Sequence, residues 1–230
     1  MATSGSVDLT LTSRQIIAHA LSLLQVTASG ETPSAADAAI GLTALELMLK
    51  SWGAVPHLWL ETEGSLVLTA GTQNYTLPAA VDTVSSVRRR TSSIDTPLTE
   101  YSRQEYFDMP TKSAQGTPVC WYVDRQRATT VLYLWPTASA SVASSTTLQY
   151  TYQRVIQDVD DLDNEADLPQ EWLETIAYGL ARRLGPIFGV VATPEFQVVA
   201  SEADRLLQEL SAVDQETASL YMQPNSRWSR

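Results

Sequence analysis

The hydrophobic period of this chain changes twice, from helical spacing to alternation and back, and that order restricts the architectures open to it. Ile17, Ala20, Leu21 and Leu24 share one face of a helix that a Thr12/Gln15 capping box starts and that runs to about Val26. After a loop through Gly30, Thr32-Pro33 predicts a second helix with proline in its first turn. Ala35, Ala38, Leu42, Leu45, Leu49 and Trp52 follow a three-and-four seam, and Gly53 and Pro56 end it. From about Gly64 the period becomes two: Leu66 and Leu68, the turn Ala70-Gly71-Thr72, then Tyr75 and Leu77 read as a β-hairpin. Further strands are expected at 83–90, 119–124, 129–135 and 146–155, a short helix or turn at 102–108, and a loop at 138–147.

Helical spacing returns after the acidic loop 158–167. Pro169 opens a helix carrying Leu173, Ala177, Leu180 and Leu184, which Gly185-Pro186 disrupts. Thr193-Pro194-Glu195 starts another, with Phe196, Val199, Ala203, Leu206, Leu210, Val213 and Leu220 on one heptad seam. From Pro194 to Leu220 a helix would reach roughly 40 Å at ~1.5 Å per residue, longer than a small domain is wide, so its outer half is expected to project or meet a neighbour. The fold class that follows is α+β: a bundle from N- and C-terminal helices with a central, mostly antiparallel β insertion, a sheet or small barrel. The expected divisions are an arm at 1–12, helical body at 13–62, β-rich insertion at 63–157, C-terminal helices at 158–220 and a terminal arm at 221–230.

Charge narrows the chemistry. With 15 basic against 26 acidic residues and a net charge of −11, the average surface repels phosphate, which argues against a tight nucleic-acid binder. Cys120 is the lone cysteine and cannot close an intrachain disulfide; His19 and His57 are too few for a three-histidine zinc site and are read as structural, His57 bonded to backbone. No phosphate-cradling or dinucleotide motif is present, so no cofactor is expected. The start of the chain lacks a signal-peptide pattern and no run approaches 18 apolar residues, so a protein made in the cytoplasm, without a membrane partner, is expected.

The densest acids, Asp158, Asp160, Asp161, Asp163, Glu165 and Asp167, invite a calcium or carboxylate-pair reading. Leu168 stands where a calcium loop needs glycine, and crowded acids in a polar loop do not provide the raised carboxyl that sugar cleavage needs. A solvated loop capping the following helix is the reading preferred here. Cell-wall hydrolysis using acids such as Asp161 and Glu174 is the alternative.

Four blocks, in this order, resemble the phage head-to-tail adaptor family, also described as head-completion or packaged-DNA stabilisation proteins of short-tailed phages. They are Gly30-Glu31-Thr32-Pro33-Ser34 running through Leu42, Leu45 and Leu49 to Ser51-Trp52; Leu68 to Leu77; Pro97-Leu98 with Tyr106, Lys112, Gly116-Thr117-Pro118 and Tyr122; and Leu168-Pro169 with Trp172, Tyr178, Leu180-Ala181 and Gly189. Leu184-Gly185-Pro186-Ile187-Phe188 departs from the Ala-Pro pair and following acid that the family pattern would place there, a departure expected to loosen the bend. The resemblance implies a non-enzymatic virion protein of the neck at the portal vertex. It also implies a dodecameric ring stacked on the portal, with a tail or nozzle protein below and DNA passing through the lumen unbound.

Two segments are candidate partner contacts in such a ring. Arg88, Arg89 and Arg90 end a strand, where they protect an edge or meet the acids of the next subunit; alternation sends Arg88 and Arg90 to one face and Arg89 to the other. The terminal arm carries Tyr221, Met222, Arg227, Trp228 and Arg230, an aromatic and arginine set of the kind that dominates binding at interfaces.

Overall fold

Helix α1 (Ser13–Leu23) starts at the expected capping box: Thr12 accepts from the Gln15 amide and the Gln15 side chain accepts from the Thr12 amide at 2.9 Å. A computed structural model describes residues 5, 7–28, 30–55, 57–127 and 129–214. α2 (Ala35–Trp52) is capped by Ser34, whose hydroxyl accepts from the Asp37 amide, so Pro33 precedes the cap and does not occupy the first turn. The side chain able to accept from a first-turn amide sets the start, because proline offers no acceptor. Thr12→Ala is expected to cost about 0.5–2 kcal/mol by removing one cap acceptor, measurable as a lower denaturant midpoint with unchanged slope.

The central block holds β1 (Glu61–Val67), β2 (Asn74–Thr76), β3 (Val81–Thr91), β4 (Ile94–Pro97) and β5 (Thr99–Glu100). α3 (Arg103–Phe107), β6 (Gln115–Gly116), β7 (Cys120–Arg125), β8 (Thr130–Trp135), β9 (Thr137–Ala138), α4 (Ala140–Ser145) and β10 (Thr146–Arg154) complete it. One four-stranded sheet has the order β1-β10-β3-β4 and another β2-β8-β7-β5, with β6 and β9 as a small parallel pair. Leu148, Val84 and Val87 of the first sheet and Trp121, Leu132 and Leu134 of the second share one core.

The expected hairpin at 66–77 does not form: β1 pairs with β10 and β2 pairs with β8, in different sheets. Leu68 and Tyr75 both enter the shared core, and the Gly71 amide donates to Ala138 O, so the turn carries the chain from one sheet to the other. Local alternation reports which side chains point inward and is silent about which strand lies alongside. The expected loop at 138–147 is likewise corrected, being made of the end of β9, α4 and the start of β10.

Pro169 precedes a short 3-10 turn (Gln170–Trp172), from which α5 (Leu173–Leu184) continues, and α6 (Pro194–Val213) follows with Thr193 as its cap. α1, α2, α5 and α6 share a second core in which Ile17, Leu21, Leu45, Leu180 and Leu184 are fully enclosed. The second-helix seam is wider than the pattern indicated, with Gly41, Ala44 and Met48 also buried. Gly41 is a close approach: a Cβ there would lie 2.5 Å from Ile17.

The acidic loop caps a helix, but a different one. Its Asn164 and Leu162 carbonyls accept the Ser13 and Arg14 amides at 2.8 and 2.9 Å, first-turn donors of α1 that have no partner within the helix. Below it, Ile156 and Val159 plug into the helical core.

Candidate interaction surfaces

The joint between the two cores is built from charged groups at the ends of β10 and α2. Arg154, the last residue of β10, lies over the Trp59 ring at 5.5 Å and reaches both oxygens of Asp167, which also accepts the Gln157 amide at 3.0 Å. Burial acts most strongly on the Asp167 carboxyl and pushes its pKa up, but the Arg154 hydrogen bond, the Gln157 amide and the charges of Arg154 and Lys50 outweigh it, so the net shift is downward. Lys50 donates to Ile156 O at 2.8 Å and pairs with Asp158. Arg14 pairs with Asp163 at 3.1 Å, and Asn164 donates to Asp160 at 2.7 Å. These acids hold the loop to α1 and α2. Asp161 accepts the Asp163 amide, and Glu174 is exposed in the first turn of α5. Among the described residues no cluster of three or more His, Cys, Asp or Glu is placed to hold a metal.

His57 is buried between Trp59 and Trp172 and donates from Nδ1 to Asp214 Oδ2 at 2.9 Å, a carboxylate partner in place of the backbone one expected. The seam of α6 explains the pairing. At ~3.6 residues per turn, the step from Phe196 to Asp214 is about five whole turns, so Asp214 falls under the buried stripe and Val213 turns out, 80% exposed. The helix therefore ends clamped to the body at Asp214; Leu220, the last position of the expected seam, lies outside the described residues. His19 is exposed. Cys120 is enclosed, its pKa pushed up to about 11 by burial, with its thiol donating to Trp135 O.

The basic trio sits on a strand paired on both sides, since β3 lies between β10 and β4, so edge protection is not its role. The alternation holds: Arg88 and Arg90 both reach Asp95, with Arg88 also on Glu63, while Arg89 turns the other way and donates to Pro118 O at 3.3 Å. The Arg90 hydrogen bond is the main influence holding the Asp95 carboxyl below its ordinary pKa. Tyr221, Met222, Arg227, Trp228 and Arg230 lie outside the described residues.

Aromatic residues of the first and fourth sequence blocks meet in space, and two of the third block meet each other. Trp52 packs on Trp172 at 5.7 Å between ring centroids, and Tyr106 stacks on Tyr122 at 5.5 Å. Their role is therefore packing. Lys112 of the third block donates to Phe107 O and Met109 O and closes the end of α3.

One surface was not singled out from the sequence. α2 is apolar on its outward side as well as its inward one, with Ile40 39% and Leu47 62% exposed. Its sequence signature is a second stripe, Ala36, Ile40, Thr43 and Leu47, offset from the buried seam. Exposed apolar residues also gather at the α5–α6 elbow, at Ile187, Val191 and Val198.

Among solved structures, one described as the neck of an empty GTA particle computed with C6 symmetry is similar at 14% identity and a TM-score of 0.29, covering 85% of this chain and 93% of that one. Another, the neck of a native GTA particle computed with C12 symmetry, is 15% identical with a TM-score of 0.22, covering 83% and 93%. No curated protein matches the chain. The sequence matches the family described as SU10 adaptor protein over residues 12–228, all of the described helical and β structure, and the chain therefore belongs to this phage head-to-tail adaptor family.

Proposed function

We propose that the chain is a structural subunit of an adaptor ring in the neck of a phage particle, seated on the portal, with a tail or nozzle component below and DNA passing through the middle. The family match across nearly the whole chain carries this reading. The acids named for hydrolysis support it too, because Asp161 sits in a polar loop and accepts the Asp163 amide and Glu174 is exposed on α5, neither in the apolar pocket that the acid of sugar cleavage needs. The neighbouring Asp158, Asp163 and Asp167 are engaged by Lys50, Arg14 and Arg154. Each copy contributes a net charge of −11, so a ring of them repels the duplex away from local patches, within a screening length of roughly 8 Å. Such a lumen lets DNA slide.

In this reading the helical body and the β block have separate roles, ring and portal contact for the first and contact with neighbours or the next tail component for the second. The segment 221–230 docks through Tyr221, Met222, Arg227, Trp228 and Arg230 on the portal or an adjacent adaptor. Arg89 makes one hydrogen bond among the described residues and has further donors for a neighbour's acids; Arg88 and Arg90, on the opposite face, would meet such acids alongside Asp95 and Glu63, which they already engage.

Electron microscopy of the purified chain mixed with its cognate portal tests the proposal. An added ring of density beneath the portal is expected, and a chain that stays monomeric beside the portal overturns the reading. Deleting residues 221–230 is expected to weaken portal binding at least tenfold with unchanged circular dichroism; unchanged binding removes the docking role of that segment.

A further inference from the structure

We propose that the outward face of α2 and the elbow between α5 and α6 are the two halves of one contact, through which successive copies of this chain meet head to tail; the inference rests on the ring reading above. α2 carries only Asp37, Glu46 and Lys50 as charges along 18 residues. Its inner side is enclosed at Ala38, Gly41, Leu45 and Met48. Its outer side, Ala36, Ile40, Thr43 and Leu47, faces solvent at spacings of four, three and four, the repeat of a helix that packs on a second partner. Alanine and threonine in that stripe permit close approach.

The elbow is the matching feature. Residues 185–194 contain no charge, and Ile187 and Val191 there are 55% and 42% exposed, with Val198 at 67% on the next turn of α6. Two copies that each carry −11 repel one another over most of their surfaces, and the repulsion is smallest where charges are fewest, here the α2 stripe and residues 185–194, with Glu195 and Glu202 beside Val198 at the rim. This points to a second copy as the occupant. The extent of the surface decides how it is used. The stripe from Ala36 to Leu47 spans 12 residues, roughly 18 Å by 10 Å, under a quarter of the ~800 Å² per partner that holds a standard stable pair. Such a contact does not sustain an isolated dimer, but repeated around a closed ring, with each copy offering two different patches, it is reinforced by closure.

Single-cysteine substitutions test this, because the native Cys120 is 1% exposed and stays silent. Leu47→Cys and Val198→Cys chains are assembled on the portal separately and as an equal mixture, then treated with a short bismaleimide. Cross-linked pairs are expected from the mixture and not from either variant alone. Leu47→Glu is expected to reduce ring formation at least tenfold while leaving the thermal unfolding midpoint unchanged. Rings that form without cross-links, cross-links within Leu47→Cys alone, or normal rings from Leu47→Glu overturn the inference and leave the ring reading standing. Absence of rings from the unsubstituted chain overturns the ring reading itself.

Discussion

Gly185→Ala is expected to destabilise the chain by about 1–3 kcal/mol, against the sign that helix propensity alone predicts. Gly185 has helical backbone angles at the end of α5, where alanine would ordinarily be favoured by about 0.8–1 kcal/mol. A Cβ there would lie 2.0 Å from the Phe196 ring, however, and Phe196 is a buried member of the helical core. The steric cost outweighs the propensity gain. Phe196→Ala by itself is expected to cost about 3–5 kcal/mol through the cavity it leaves. In that background Gly185→Ala should be neutral or stabilising, because the added methyl enters vacated space, giving a coupling energy of about 1–3 kcal/mol. Urea unfolding of the four chains measures it, and additive effects would show that the ring does not rest on Gly185. Gly185 is thus a seat for an aromatic ring, where the sequence had indicated a loosened bend.

Asp167→Asn is expected to cost about 1–3 kcal/mol at neutral pH, since it leaves Arg154 at the joint with a neutral partner. The same carboxyl makes stability depend on acid. Its folded pKa lies below that of the unfolded chain, about 3.9, so its contribution is fully present above that value and is lost as the pH falls through the lowered one. Stability of the unsubstituted chain should therefore fall more steeply below about pH 4 than that of the Asn variant, and the difference between the two should shrink. Parallel pH–denaturation profiles would show instead that the Arg154–Asp167 pair contributes nothing to the joint.

The candidate surfaces were legible to different degrees. The basic trio was visible as three adjacent letters and its alternation was correct, but Asp95 and Glu63 reach it only because β4 folds back on β3 and β1 lies across β10. The α2 stripe was present in the letters yet hidden behind a better seam, because a helix that is apolar on two sides does not announce which side the body will cover. The clamp at Asp214 was also recoverable, by counting whole turns from Phe196, whereas the heptad count used for the seam drifts and selects Val213. Its partner His57 was not, being brought there by packing against Trp172.

Local physics read from the letters settled the longer helices and strands, the capping box at Thr12 and Gln15, the buried face of α1 and of the first part of α6 and the division into helical ends and β middle, since caps and periodicity act over a few neighbouring residues. Strand partners, the sheet-to-sheet crossing at Gly71, the helix that the acidic loop serves and the occupant of the space above Gly185 were decided by the tertiary structure. Each depends on residues far apart in sequence competing for the same volume and the same unpaired backbone groups, a competition that spacing along the chain does not record.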